Sequence, residues 1–360
     1  MKLELLLIRE GDFWENLNSL VAKHRKVFLR LGLISDRSME LVVYDPKLNL
    51  VCNPKEDSFV AASSVLDEAF DKSPFRRLLR KLYIYFRLSR LSITCFLPRK
   101  DLDFGLKLGV TLLPGNHSYR FFDVRARKFY IFAKDEFFVA PAECLTKKNK
   151  ILVDTNVLTF GELSVVQEHF FCGKPLNRQR KLTEYDVLPL INEIEKLAPE
   201  SITTSTSLLV KLVNDFDGHL SKLNHKVERQ ILTRLLTIRK IIEKRIKEHP
   251  EIIISLSFSH GDFQPSNILV GEKNEVKIID WEYAGPRIKH FDEFTLLSDA
   301  RTAHAFHNSE IFAKYSDIEV HFFLFSDLLV RLNELTPNYV SAPLGSFNTY
   351  VSKLENFLDV

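Results

Sequence analysis

Three side chains in one short stretch have the types and spacing for metal-assisted chemistry. They are Asp262, Asn267 and Asp280, in "HGDFQPSNILVGEKNEVKIID". Residues 267–270 and 276–280 are β-prone runs around the turn-forming "GEKNE", a pattern that predicts a hairpin. With Val270 set opposite Lys277, Asn267 falls opposite Asp280. Directly opposed residues have Cβ atoms ~5 Å apart, close enough for one ion to touch both. An amide oxygen and a carboxylate are hard donors of the sort Mg2+ accepts alongside phosphate oxygens and water. Asp262 precedes Asn267 by five positions, on the loop entering the hairpin, where it is placed to meet a substrate hydroxyl beside the ion. A carboxylate that accepts a hydroxyl proton next to a metal-held phosphate is an arrangement for phosphoryl transfer.

The elements that must position these groups fall into three stretches. Residues 1–100 read as a mixed α/β unit, with a strand at "MELVVYD" and a helix at "FVAASSVLDEAF". Within it, 72–100 carries nine Lys and Arg and no acid. Phe75, Leu78, Leu79, Leu82 and Phe86 recur there at helical spacing, so a basic amphipathic helix is expected. Its apolar face would lie on the core, or its charge would meet an anionic membrane or a protein partner. Residues 101–170 turn strand-rich in "LKLGVTLLPG", "YRFFDV", "KFYIFAK" and "LSVVQEHFF". Across 171–360 helices dominate, as in "YDVLPLINEIEKLA" and "LNHKVERQILTRLLTIRKIIEKRIKEH", whose apolar residues step by three and four. The expectation is an accessory N-terminal unit followed by a strand-rich and a helix-rich lobe with a cleft between them, an α+β class.

Composition narrows the partners. The chain has 360 residues, 45% of them hydrophobic and 27% charged, which suits a globular protein with a full core. A net charge of +3 does not imply nucleic acid. Four cysteines without a C-x-x-C pair fit reduced thiols in a cytoplasmic protein. The start "MKLELLLIREGDF" is too quickly charged for a signal peptide, and no run approaches the roughly 18 apolar residues of a membrane span.

"HGDFQPSNIL" followed by "IIDWEYAG" resembles the signature of the aminoglycoside phosphotransferase and choline kinase superfamily. The resemblance implies a protein-kinase-like two-lobe fold, ATP and Mg2+ as cofactors, and a small-molecule hydroxyl as acceptor. It covers 105 to about 340 and leaves the first hundred residues outside. It makes Asp262 the catalytic residue and Asn267 and Asp280 the metal ligands. "LLPGNHSYRFFDV" takes the place of the phosphate-covering hairpin, with Gly115, Asn116 and Ser118 at its tip, and Lys134 that of the phosphate-holding strand lysine. Glu143 is the candidate partner of Lys134, with Glu136 the alternative. Backbone groups of Gln167 to Phe170, including Glu168, are expected to hold the adenine. His260 reads as a hydrogen-bonder of the loop rather than a base. Asp292 either buttresses that loop or caps a helix.

A protein kinase is disfavoured, because Trp281 and Glu282 follow Asp280 where D-F-G would stand and no A-P-E after it marks a peptide-binding segment. A kinase-like protein that holds nucleotide without turnover is the competing class. From Phe291 to Val360 ten acids face four Lys and Arg, so an amino-alcohol such as choline is favoured slightly as acceptor, with a sugar hydroxyl as the alternative. His304 and His307 in "HAFH" have ligand-like spacing but no evident third ligand.

Overall fold

The computed structural model describes residues 10–35, 42–45, 50–52, 97–99, 103–114, 118–133, 150–176, 184–223, 229–271, 273–298, 314–334 and 342–358. The chain is α+β and divides into two compact units. One holds Glu10–Leu182 with Pro265–Glu282, and the other Thr183–Gln264 with Tyr283–Val360.

The first unit is strand-rich. Helices α1 (Glu10–Lys23) and α2 (Arg25–Arg30) precede β1 (Ile34–Ser35), β2 (Val42–Asp45), β3 (Leu50–Cys52), β4 (Leu97–Arg99) and β5 (Gly105–Leu106). Next come β6 (Val110–Pro114), β7 (Ser118–Asp123), β8 (Lys128–Ala133), β9 (Thr155–Phe160), β10 (Leu163–His169) and β11 (Lys174–Pro175). Eight of these strands form one sheet in the order β4-β2-β3-β6-β7-β8-β10-β9. Alternation along β7 and β8 sends Tyr119, Phe121, Tyr130 and Phe132 to one face, where they join Leu17, Val21 and Phe28 of the two helices in a buried core. Phe28 stacks on Phe132 at 4.3 Å and meets Phe121 edge-on at 5.4 Å.

This corrects the division expected from the sequence. The described parts of residues 1–100 are not an accessory unit: β3 pairs with β6, and α1 and α2 supply one side of the sheet's core. The physical reason is that one face of the sheet is largely apolar and must be covered. The basic segment 72–96 lies outside the described residues, as do His304 and His307.

The second unit is mainly helical: α3 (Glu184–Glu195), α4 (Ser205–Leu223), α5 (Arg229–Glu248), α6 (Phe291–Ser298), α7 (Asp317–Glu334) and α8 (Ala342–Leu358). A three-stranded sheet joins β12 (Ser201–Thr204), β13 (Ile253–Ser259) and β16 (Gly285–Ile288), while β14 (Ile268–Val270) and β15 (Val276–Ile278) belong to the strand-rich unit. On α5 the buried residues Ile231, Leu235, Ile238, Ile242 and Ile246 make one stripe, as the sequence period requires. By contrast α7 is buried on nearly every side, so it is the helix the others surround.

His321 on α7 is 1% exposed, and its Nδ1–H donates to the Asp317 carbonyl at 2.7 Å. Its Nε2 is buried with no hydrogen-bond partner among the described residues. Burial holds its pKa below the ordinary 6.5, because a proton on Nε2 would have no acceptor. Below that ordinary value the unfolded chain takes up a proton that the folded chain refuses. The neutral ring's contribution is therefore complete above 6.5 and is lost as pH falls towards the lower folded value. His321→Gln is expected to narrow the difference in Tm between about pH 7.5 and about pH 5.5 relative to wild type. An unchanged difference would assign the acid sensitivity elsewhere.

Candidate functional site

The hairpin of β14 and β15 forms where the sequence places it, but with a different register. Val270 pairs with Val276, Leu269 with Lys277 and Ile268 with Ile278. The expected opposition of Asn267 and Asp280 is thereby corrected: Ile279 N–H donates to the Asn267 carbonyl at 2.9 Å, and Asp280 lies one residue further on. The turn explains the shift. Gly271 N–H donates to Glu275 O at 2.9 Å, closing a three-residue loop in which Asn274 adopts φ 59°. A short loop with a left-handed residue at its end sets the pairing that follows.

Asn267 ends a 3₁₀ turn, Pro265–Asn267, and is buried. Asp280 has φ 70°, an uncommon left-handed conformation outside glycine that takes the chain out of the strand. Its Oδ1 accepts a hydrogen bond of 2.5 Å from Nη2 of Arg120, 160 positions earlier on β7. Arg120 Nε donates to Ser118 Oγ at 3.3 Å. The two ion-pair side chains are 26% and 31% exposed, so solvent reaches both.

Glu168 completes this group. Arg120 pairs with Ile131 and Ile131 with Val166, and Glu168 lies two residues beyond Val166, on the same face. Burial pushes its carboxyl up to about 7, with Arg120 opposing and Asp280 adding to the rise. Its side chain is thus part of an ionic cluster, whereas the sequence assigned this segment to adenine through its backbone. Gln167 and Glu168 sit in a ladder with strands on both sides, His169 N–H donates to Asp154 O at 2.9 Å, and Phe170 N–H donates to Arg127 O at 2.8 Å. These amides are already committed. Of the hairpin-tip residues only Ser118 is described. Gly115, Asn116, Lys134, Glu136 and Glu143 lie outside the described residues.

Asp262 belongs to the helix-rich unit, on a loop held by Asp292. The buried carboxylate of Asp292 accepts from Ser259 Oγ at 2.9 Å, His260 N at 2.7 Å and Gly261 N at 3.0 Å. Of the two roles left open for Asp292, these bonds are those of a buttress. His260 is fully buried and its Nδ1 accepts from Asp262 N–H at 3.3 Å, the geometry of a loop hydrogen-bonder. Gln264 Nε2 donates to Asp262 Oδ2 at 2.9 Å and orients the carboxylate.

Gly261 is required by space as well as by φ 79°, since a Cβ there would stand 2.2 Å from the Tyr283 carbonyl oxygen. Gly261→Ala should cost ~2 kcal/mol or more of unfolding free energy in a urea titration. A cost near zero would mean that the loop relaxes freely. Beneath the glycine, Arg287 donates to Tyr283 O at 2.7 Å and lies over the Phe291 ring at 5.2 Å. Burial pulls its pKa below the usual arginine range, while Asp292, Asp327 and Asp262 oppose the shift.

Arg120 and Arg287 are the residues that sequence reasoning missed. Arg120 carried no motif, and only the alternation of "SYRFFDV" would have set it apart as the one charged residue flanked by aromatics.

Among the described residues no helix is long and apolar enough to cross a membrane, and no group of three or more His, Cys, Asp or Glu is arranged to hold a metal. A comparison with curated proteins found no match. Among solved structures, the chain is similar to the aminoglycoside phosphotransferase APH(4)-Ia, at 13% identity over 69% of this chain and 93% of that one, with a TM-score of 0.49. It is also similar to spectinomycin phosphotransferase APH(9)-Ia in complex with ADP and spectinomycin, at 12% identity over 69% and 92%, TM-score 0.43. A choline/ethanolamine kinase family protein from Mesorhizobium loti is similar at 12% identity over 70% and 88%, TM-score 0.43. Residues 168–318, which take in both "HGDFQPSNIL" and "IIDWEYAG", match the family model of choline/ethanolamine kinase, within the superfamily that the two motifs resemble.

Proposed function

We propose that the protein is an ATP- and Mg2+-dependent phosphotransferase that moves the γ-phosphate onto a hydroxyl of a small molecule. One observation carries the reading: the stretch matching choline/ethanolamine kinase contains Asp262, Asn267 and Asp280 in the order that phosphoryl transfer needs. Asn267 and Asp280 come from the two arms of one hairpin and offer hard oxygen donors. By the chemistry of that donor set the residues fit Mg2+.

Asp262 accepts the proton of the acceptor hydroxyl, with Gln264 and the Asp292-braced loop setting its direction. Asn267 and Asp280 would hold Mg2+. When bound, the ion offsets charge on the phosphate oxygens during transfer. Lys134, with Glu143 or Glu136 beside it, and the tip residues Gly115, Asn116 and Ser118 are assigned to the phosphates by their place in the chain. For the acceptor, the acidic balance after Phe291 supports an amino-alcohol such as choline or ethanolamine ahead of a sugar. A cytoplasmic setting and a membrane or protein contact through 72–100 belong to the same reading.

A second reading, nucleotide binding without turnover, is favoured by one feature, the guanidinium seated on Asp280. Incubation with MgATP and a panel of choline, ethanolamine, sugars and aminoglycosides separates the two. Phosphate uptake by an amino-alcohol or sugar is expected. Bound nucleotide with no product and no hydrolysis would replace the first reading by the second. Phosphorylation of aminoglycosides alone would overturn the acceptor preference.

A further inference from the structure

The Arg120–Asp280 ion pair joins a strand of the large sheet to the candidate metal ligand, and it is explained neither by sheet packing nor by the roles assigned above. We propose that Arg120 is a phosphate-binding residue that occupies Asp280 until a nucleoside di- or triphosphate arrives, so that nucleotide and metal bind together. The inference rests on the nucleotide-site reading of the previous subsection and adds to it a residue and an order of binding.

Three observations support it. The guanidinium is on one oxygen of the candidate metal-ligand carboxylate, at 2.5 Å, so a metal ion and Arg120 compete for the same carboxylate. Arg120 lies two residues after Ser118 on the strand leaving the candidate phosphate hairpin, and Ser118 Oγ accepts from its Nε, which sets the plane of the guanidinium. Both partners are about a quarter to a third exposed, so an incoming anion reaches the pair without opening the core.

Charge then drives the exchange. A divalent ion on Asp280 repels a guanidinium a few ångströms away, whereas the phosphates that accompany the ion attract it. An arginine presents a planar fork of donors suited to phosphate oxygens, so the bond given up on Asp280 is replaced by a bond of the same charge-assisted kind. Metal alone brings no phosphate to attract the guanidinium. Binding of the ion without nucleotide therefore breaks the charge-assisted bond on Asp280 and sets a divalent charge beside Arg120, and is disfavoured.

The test measures binding rather than turnover. Adenosine, AMP and ADP are titrated by calorimetry with and without Mg2+, and Mn2+ alone is titrated by its paramagnetic signal. Each is done on the wild type and on Arg120→Met, which keeps the aliphatic stem and removes the charge. The expected result is a loss of ~10-fold or more in ADP affinity with adenosine unchanged, the size of one charge-assisted hydrogen bond. Mn2+ alone should bind the variant more tightly than the wild type. Arg120→Lys should recover part of the ADP affinity, and if the Met variant does not fold, wild type against Arg120→Lys supplies the same comparison. Equal ADP binding by wild type and the substituted protein would overturn the proposal, as would Mn2+ binding that Arg120 does not weaken. A wild-type protein that binds no ADP would instead bring down the nucleotide-site reading itself, which distinguishes the two failures.

Discussion

Asp262→Asn is expected to lower phosphate transfer by at least ~10²-fold while leaving folding and ADP affinity close to wild type. The substitution keeps the shape and one oxygen, so Gln264 retains an acceptor, and the loop is held by Asp292 rather than by Asp262. What disappears is the charge that draws the hydroxyl proton as the new bond to phosphorus forms. Single-turnover transfer and ADP titration on the same preparation separate the two effects. Wild-type turnover in this variant would remove Asp262 from the mechanism and with it the proposed reaction.

The second large effect concerns the first hundred residues. Phe28 is fully buried, stacked on Phe132 and set edge-on to Phe121, so its ring is shared between α2 and the central sheet. Phe28→Ala should destabilise the protein by ~3–5 kcal/mol, through lost apolar burial and the cavity left behind. Deleting 1–100 removes α1, α2 and three strands of the eight-stranded sheet, and exposes the apolar face they cover. That truncation should be insoluble or lack a cooperative unfolding transition, whereas an accessory unit, as the sequence suggested, would leave nucleotide binding intact. A soluble truncated chain that melts cooperatively and binds ADP would restore the accessory reading.

Sequence by itself determined the elements whose cause is local. The stripe of Ile231, Leu235, Ile238, Ile242 and Ile246 follows from a 3.6-residue period, and β7 and β8 follow from β-prone runs of six residues each. The hairpin that carries Asn267 and Asp280, and the loop that carries Asp262, were legible because turn formers and chemistry-bearing residues sit within one short window. Even there the register was decided by loop closure between Gly271 and Glu275, which a count of β-prone residues does not contain.

Tertiary structure alone decided the rest. Arg120 meets Asp280 across 160 positions, and no local rule singles out that arginine among its neighbours. The amides of His169 and Phe170 are committed to Asp154 and Arg127, partners that a one-dimensional reading of the connector does not supply. The N-terminal strands join the central sheet because its apolar face and unpaired edge need covering, a requirement set by the folded sheet and not by any residue in the strands that meet it. Short-range patterns record which side chains can do chemistry. Which of them share a charge or a hydrogen bond depends on distances that exist only after the sheet has formed.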